Sequence, residues 1–249
     1  VAQQEYRRQV RRFYTAVAAV PEDGAWRITL DGRPVRTPKR APLTLPTAAL
    51  AAAVAEEWDA QSDKILPATM PMTGLANAAI DHVQPDPQAF AAGLAAYAES
   101  DLVCYRADTP ADLVARQSTA WDPFVAFALR RYDAALRVTA GITHVAQDAA
   151  AVQRLAAALR STDAWKLAAM QPLVTIAGSL VIALALAEGE VDADAAFAAG
   201  HLDELYQAEK WGDDAEATAA RTARRAAFEA AARFLSLLDA TSAGTISRG

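Results

Sequence analysis

The spacing of apolar residues changes character along the chain. From residue 73 onward, apolar positions recur at steps of three and four, the period of a helix with one buried face. This spacing predicts helices over 73–83, 87–98, 110–136, 148–160, 163–188, 192–210 and 214–239. Asp86 (ahead of Pro87), Asp163, Asp192 and Asp213 stand where N-caps would stand, since a short carboxylate there accepts from the first free backbone N–H groups. Leu136-Arg137-Val138-Thr139 before Gly141 reads as a short strand or a link between helices.

Before residue 73 the pattern is mixed. Tyr6, Val10, Phe13, Val17 and Val20 fit an amphipathic helix over 3–20, with Arg7, Arg8, Arg11 and Arg12 on its other faces and Pro21 as the stop. Trp26 to Leu30 alternates apolar and polar, Asp31-Gly32 supplies a tight turn, and Val35-Arg36-Thr37 returns, which together predict a hairpin. Leu43-Thr44-Leu45 adds a third strand, and Thr47 caps a helix running to about Gln61 through Leu50, Val54 and Trp58. Ile65 to Met70 reads as one more strand. The fold class is therefore α+β, with a small N-terminal α/β domain over 1–80 and a mostly helical domain over 81–249. The small polar tail from Thr241 is expected to fray.

Composition narrows the function more than the fold. Hydrophobic residues make up 53%, much of it Ala, which favours helix. The net charge of -6 argues against a nucleic-acid binder. One cysteine, Cys104, excludes an intrachain disulfide and a thiolate zinc cage. Residues 167–187 carry no charge between Lys166 and Glu188, but Gln171, Pro172, Gly178 and Ser179 interrupt them. They read as a buried core helix rather than a membrane span.

Catalytic motifs are scarce. The chain has no phosphate-binding glycine loop, no nucleophile elbow, and His82, His144 and His201 lie far apart in sequence. Cys104, with Asp101 and Arg106 nearby and His82 as a base, is the best case for a thiol-dependent enzyme. Against that stands a small buried thiol beside a capping Asp. The pair Asp192 and Asp194 fits helix-dipole compensation better than a metal site, and no metal or other cofactor is expected. The cluster Arg221, Arg224 and Arg225 reads as a salt-bridged helix face. The run His201 to Gly212 is unusual: Asp203, Gln207 and Lys210 share one side of a helix, with Glu204, Glu209 and Trp211 beside them. Tyr206 and Trp211 among carboxylates suit either a protein-binding surface or a core with solvated acids.

Nine short phrases, taken in order, resemble one family. They are Leu30-Asp31-Gly32-Arg33 with Arg36-Thr37-Pro38; Leu43 to Pro46; Glu57-Trp58-Asp59-Ala60-Gln61; and Met70-Pro71-Met72-Thr73. Ala79-Ile80-Asp81, Asp101-Leu102-Val103-Cys104-Tyr105-Arg106 and Gln117 with Trp121-Asp122-Pro123 follow, then Gly178-Ser179 and Tyr206 to Asp214. In this order they are similar to the assembly chaperones of F-type ATP synthase that act on the free alpha subunit. The resemblance implies a non-catalytic monomer without metal or nucleotide, whose partner is the F1 alpha subunit. It implies a role for the acidic position before Tyr206-Gln207, here Asp203 or Glu204. The expected contact surface is the helix over 201–212, with Asp203, Glu204, Gln207, Glu209 and Trp211. The resemblance also implies structural roles for Trp58, Asp101, Tyr105 and Trp121. A bacterial member would act in the cytoplasm, without membrane insertion or nucleic acid, and a eukaryotic one in the mitochondrial matrix.

Overall fold

The computed structural model describes residues 10–141 and 143–240. They divide into two compact units: the residues up to His82 together with those from Ser236 on, and Val83–Leu235.

The first unit is built on two Asp-Gly turns. Strand β1 (Val17–Glu22) runs antiparallel to β2 (Ala25–Leu30), with Val17 opposite Leu30 and Glu22 opposite Ala25. Asp23 and Gly24 join them, and Asp31 and Gly32 join β2 to β3 (Arg33–Pro34); all four residues have positive φ. Two left-handed residues in a two-residue loop match the twist of the strands they connect. Strand β4 (Thr44–Leu45) pairs with the start of β2. The sheet turns Ile28, Leu30, Leu43 and Leu45 inward, and α1 (Ala48–Asp59) covers them with Leu50, Ala51 and Val54. Thr47 caps α1 by accepting from the Leu50 N–H at 3.2 Å. Helix α2 (Pro71–Ala78) follows and continues as a π-helical turn, Ala79–Val83.

Two expectations fail here. The helix over 3–20 is not formed where the chain is described: residues 10–16 are irregular and Val17–Glu22 is a strand. The apolar spacing that suggested a helix is equally met by β-branched Val17 and Val20 on a sheet edge, where Pro21 is tolerated. Tyr6, Arg7 and Arg8 lie outside the described residues, as does the tail from Thr241. The strand expected over Ile65 to Met70 is instead a 3-10 turn, Pro67–Thr69, opened by its proline.

The second unit is helical. Its elements are α3 (Pro87–Ala95), β5 (Tyr105–Arg106), α4 (Ala111–Tyr132), β6 (Thr139–Ala140) and α5 (Ala149–Arg160). After them come α6 (Ala164–Ala177), α7 (Leu180–Ala187), α8 (Ala193–Gly200), α9 (Leu202–Trp211) and α10 (Ala215–Asp239). Strands β5 and β6 pair in parallel. Helix α7 is buried from Leu180 to Ala185, and α4, α6 and α8 pack around it. A helix apolar on every side is stable only when surrounded in this way.

Two of the long C-terminal periodic segments are broken, while the one over 214–239 forms a single helix. The one over 163–188 stops at Gly178, whose φ of 66° ends α6, and restarts at Ser179, which accepts from the Ile182 N–H at 3.0 Å. The uncharged stretch is thus two short buried helices, and among the described residues no helix is long and apolar enough to cross a membrane. The segment over 192–210 breaks at His201, between α8 and α9. Asp86, Asp163 and Asp192 cap α3, α6 and α8 as expected, but α10 is capped by Asp214, not Asp213.

Candidate functional site

Helix α9 presents two kinds of side chain. Its acids are held within the chain. Asp203 Oδ1 accepts from Gln117 Nε2 at 2.7 Å, and buried Gln117 in turn accepts from the Ala107 N–H at 2.7 Å. Glu204 accepts from Arg221 at 3.2 Å and from Arg224 at 2.6 Å. Arg116 grips Glu209 with two parallel bonds of 2.6 and 2.9 Å, a planar fork that fixes direction as well as distance. Lys210 pairs with Asp112 at 2.9 Å, and the Tyr206 hydroxyl donates to the same carboxylate at 2.8 Å. These bonds hold the carboxyls of Asp112 and Glu209 below the usual carboxylate range, the Lys210 and Arg116 hydrogen bonds being the leading causes.

Leu205, Gln207 and Trp211 are exposed on the same helix, as are Glu209 and Lys210 within their ion pairs. Trp211 is 77% exposed, touching Tyr206 edge-on with ring centroids 6.5 Å apart. Beside these residues lies a groove of about 560 Å³ between α4, α8 and α9. It is lined by Phe124, Phe127, Ala195, Ala199 and Leu202, and by the exposed Arg116–Glu209 pair. Trp121 ties α4 to α8 at this point: it is fully buried and its Nε1 donates to the Ala199 carbonyl at 2.8 Å.

The remaining predicted residues are structural in placement. Asp101 is fully buried and accepts from the N–H groups of Val103 at 3.2 Å and Val181 at 3.0 Å, so one carboxylate holds the start of α7 to the chain before β5. Burial pushes its pKa up to about 6, against the hydrogen bonds that lower it. The Tyr105 hydroxyl lies 3.0 Å from His144 Nδ1. Arg106 donates to Asp122 at 2.8 Å and sits over the Trp121 ring. In the first unit, Trp58 packs edge-on against Tyr14, whose hydroxyl donates to the Trp58 carbonyl at 2.7 Å. Arg12, grouped by sequence with a basic helix face, donates to the carbonyls of Asp59 and Gln61.

Cys104 has the surroundings of an inert thiol. It is fully buried, and burial, with Asp101 adding to it, pushes its pKa up to about 12. At neutral pH the thiolate fraction is then on the order of one in 100,000, far from an activated nucleophile. Asp194 pairs with Arg225, and Asp213 with Arg221, rather than facing a metal. Among the described residues, no three His, Cys, Asp or Glu side chains gather as a metal would need.

The chain is 44% identical to the Atp12 crystal structure from Paracoccus denitrificans, with a TM-score of 0.88, covering 92% of this chain and 98% of that one. The chain belongs to the ATP12 chaperone family. The sequence profile described as ATP12 chaperone protein matches residues 11–129 of this ATP12-family chain. A mutant of the Paracoccus Atp12p, with Lys in place of one Asp, matches equally well, at 44% identity and a TM-score of 0.88 over 92% of this chain and 98% of that one. The mitochondrial atp12 protein of Schizosaccharomyces pombe is 26% identical over 214 residues, 81% of this chain and 74% of that protein. This is the family of ATP synthase assembly chaperones to which the nine sequence phrases pointed.

Sequence reasoning found α9 and missed the groove. Phe124, Phe127 and Leu205 carry no mark in the sequence beyond the apolar period of their segments. The one usable signal was the density of alanine in 195–199, which lets another element approach closely but does not say which.

Proposed function

We propose that this chain is a binding chaperone, not an enzyme, that holds the free alpha subunit of the F1 sector until it assembles with beta. The observation that carries this is the apolar groove bordered by α9, with Leu205 and Trp211 exposed beside it. A free alpha subunit exposes apolar surface that the beta subunit later covers, and such surface drives aggregation. A groove lined mainly by apolar residues, with an exposed ion pair among them, has the anatomy of a protein interface, with Trp as a typical anchor. Asp203, Glu204, Gln207, Glu209 and Trp211 form the contact surface in two roles. Gln207 and Trp211 touch the client, while Asp203, Glu204 and Glu209 hold α9 in place through Gln117, Arg221, Arg224 and Arg116. The chain acts as a monomer, in the cytoplasm of a bacterium or the matrix of a mitochondrion.

The test is co-expression with the alpha subunit of the same organism, followed by size exclusion with and without beta. Wild type should co-elute with alpha and release it when beta is added. Leu205→Asp and Trp211→Ala should each weaken the complex by about tenfold or more, a hot-spot effect, with unchanged thermal unfolding. Full binding by both variants would move the contact surface away from α9.

A further inference from the structure

The first unit holds a basic surface that the α9 groove does not use. Residues 33–40, Arg-Pro-Val-Arg-Thr-Pro-Lys-Arg, carry four cations and no acid. Buried Val35 and Thr37 alternate with exposed Arg36 and Pro38, the period of two that turns Arg36 outward while its neighbours face in. The Val35 N–H donates to the Ile28 carbonyl at 2.9 Å, and the Thr37 hydroxyl donates to Asp81 at 2.6 Å. Lys39 is spent on the Asp81 carbonyl, at 2.8 Å. Arg36 donates to the Arg40 carbonyl at 2.8 Å, and among the described residues no carboxylate pairs with Arg33, Arg36 or Arg40. The arginines around α9 differ: Arg116, Arg221 and Arg224 each hold a glutamate.

Arg33 and Arg36 line a pocket of about 500 Å³ together with Phe13, Leu30, Val35 and Trp58. Asp31 is the one acid in its lining, and it is engaged within the chain. Its carboxylate accepts from the N–H groups of Thr15 and Ala16 at 3.1 and 2.8 Å, and from the Thr15 hydroxyl at 3.0 Å. Phe13 is 69% exposed. It meets Tyr14 edge-on with ring centroids 5.4 Å apart, and the Tyr14 hydroxyl donates to the Trp58 carbonyl at 2.7 Å. Leu30, Asp31, Arg33, Arg36 and Trp58 all belong to the nine sequence phrases, yet the contact on α9 uses none of them.

These features select an occupant. A guanidinium fork takes a carboxylate or a phosphate, so the site suits an anion. Its apolar lining requires that the anion come joined to an apolar group, since a bare charge gains nothing there. The cations are spread from Arg33 to Arg40, which suits several separate carboxylates along a chain better than one compact anion. A flat lipid surface would meet Phe13 but not Leu30 and Val35, which are 6% and 8% exposed. Trp and Arg are also the residue types that anchor protein interfaces.

We propose that the first unit binds an acidic segment of a second protein partner, distinct from the client of the α9 groove. One large apolar side chain of that segment enters the pocket beside Phe13 and Trp58, and carboxylates flanking it pair with Arg33 and Arg36.

The test titrates the full chain, its tryptophans labelled with nitrogen-15, with three short synthetic peptides. The first carries one phenylalanine between two pairs of glutamates. The second has glutamines for the glutamates, and the third has alanine for the phenylalanine. Trp58→Phe assigns the Trp58 indole signal. The first peptide should shift that signal, and the other two should bind about tenfold more weakly or worse. Arg33→Glu combined with Arg36→Glu should weaken the first peptide by about tenfold or more. Both arginines are exposed, and circular dichroism melting checks that the double variant folds as wild type does. Phe13→Ala attacks the apolar half independently and should weaken the same peptide by about fivefold. No shift of the Trp58 signal, or equal binding of the glutamine peptide, overturns the proposal. Three further results overturn it by giving the surface to another occupant. Loss of the alpha subunit from the arginine variant alone would give it to that client. Self-association of wild type that the arginine variant lacks would give it to a second copy of this chain. Binding to vesicles of phosphatidylcholine with phosphatidylglycerol, without binding of the first peptide, would give it to a lipid surface.

Discussion

At the scale of the residue, Asp101 shows how one buried carboxylate sets both structure and pH response. It is fully buried because it must reach the N–H groups of Val103 and Val181. Burial raises its pKa to about 6, above the unfolded value of about 3.9. A raised acid pKa means that the folded state holds the proton more tightly than the unfolded chain does. The stabilisation is therefore complete below about pH 4 and is lost as pH rises through 6, by on the order of 3 kcal/mol. In Asp101→Asn this pH term disappears. The amide nitrogen cannot accept, so the variant is also less stable throughout, by about 1–3 kcal/mol for the lost acceptor. Urea unfolding of both proteins at about pH 4 and about pH 7 checks this. The gap between wild type and variant should be wider at the lower pH, and a constant gap would show that Asp101 does not titrate between the two.

At the scale of the element, the sequence phrases work in pairs. Thr37 of one phrase donates to Asp81 of another at 2.6 Å. Glu57 accepts from the N–H groups of Met72 and Thr73 at 2.6 and 2.8 Å, capping α2. Asp101 reaches the helix that Gly178-Ser179 starts, and Gln117 reaches Asp203. Each phrase was legible in the sequence as a local unit, and most helices were placed from their period and their Asp caps. The pairing was not legible, because a hydrogen bond across 86 positions, as between Gln117 and Asp203, leaves no periodic trace. The break between α8 and α9 was hidden for a related reason. Ala-rich sequence keeps its helical period through His201, and what ends α8 is packing against α6. There Gly200 leaves room for a backbone: a Cβ would lie 2.8 Å from Ala177 Cα. Gly200→Ala is therefore expected to destabilise the protein by about 1–3 kcal/mol, the usual cost of overpacking, despite alanine's better helix propensity. Thermal unfolding of this variant beside Gly74→Ala separates space from propensity. Gly74 has open surroundings, so the same change there should leave stability level or raise it by up to about 1 kcal/mol.

At the scale of the whole molecule, the question is whether charge or apolar contact would bind the proposed client, the alpha subunit. The net charge of -6 and the acidic run on α9 suggest an electrostatic surface when read from sequence. The structure redistributes that charge. Glu209 is taken by Arg116, Asp112 by Lys210, Glu204 by Arg221 and Arg224, and Glu190 at the groove by Arg130. A client that used these acids directly would first have to displace their partners. A client that enters the apolar groove leaves the pairs as a rim. The two cases respond differently to salt. From roughly 0.1 M to roughly 0.5 M, the screening length falls from about 10 Å to about 4 Å, which weakens contacts between exposed charges and leaves apolar burial nearly untouched. The dissociation constant for the alpha subunit should then change by less than about threefold over that range, mostly through the association rate. A fall in affinity of about a hundredfold would mean that the client exchanges ion pairs with α9. In that case Arg116→Ala, which frees Glu209, should strengthen binding at low salt. In the apolar case it should weaken binding, because the groove loses the arginine that holds its rim.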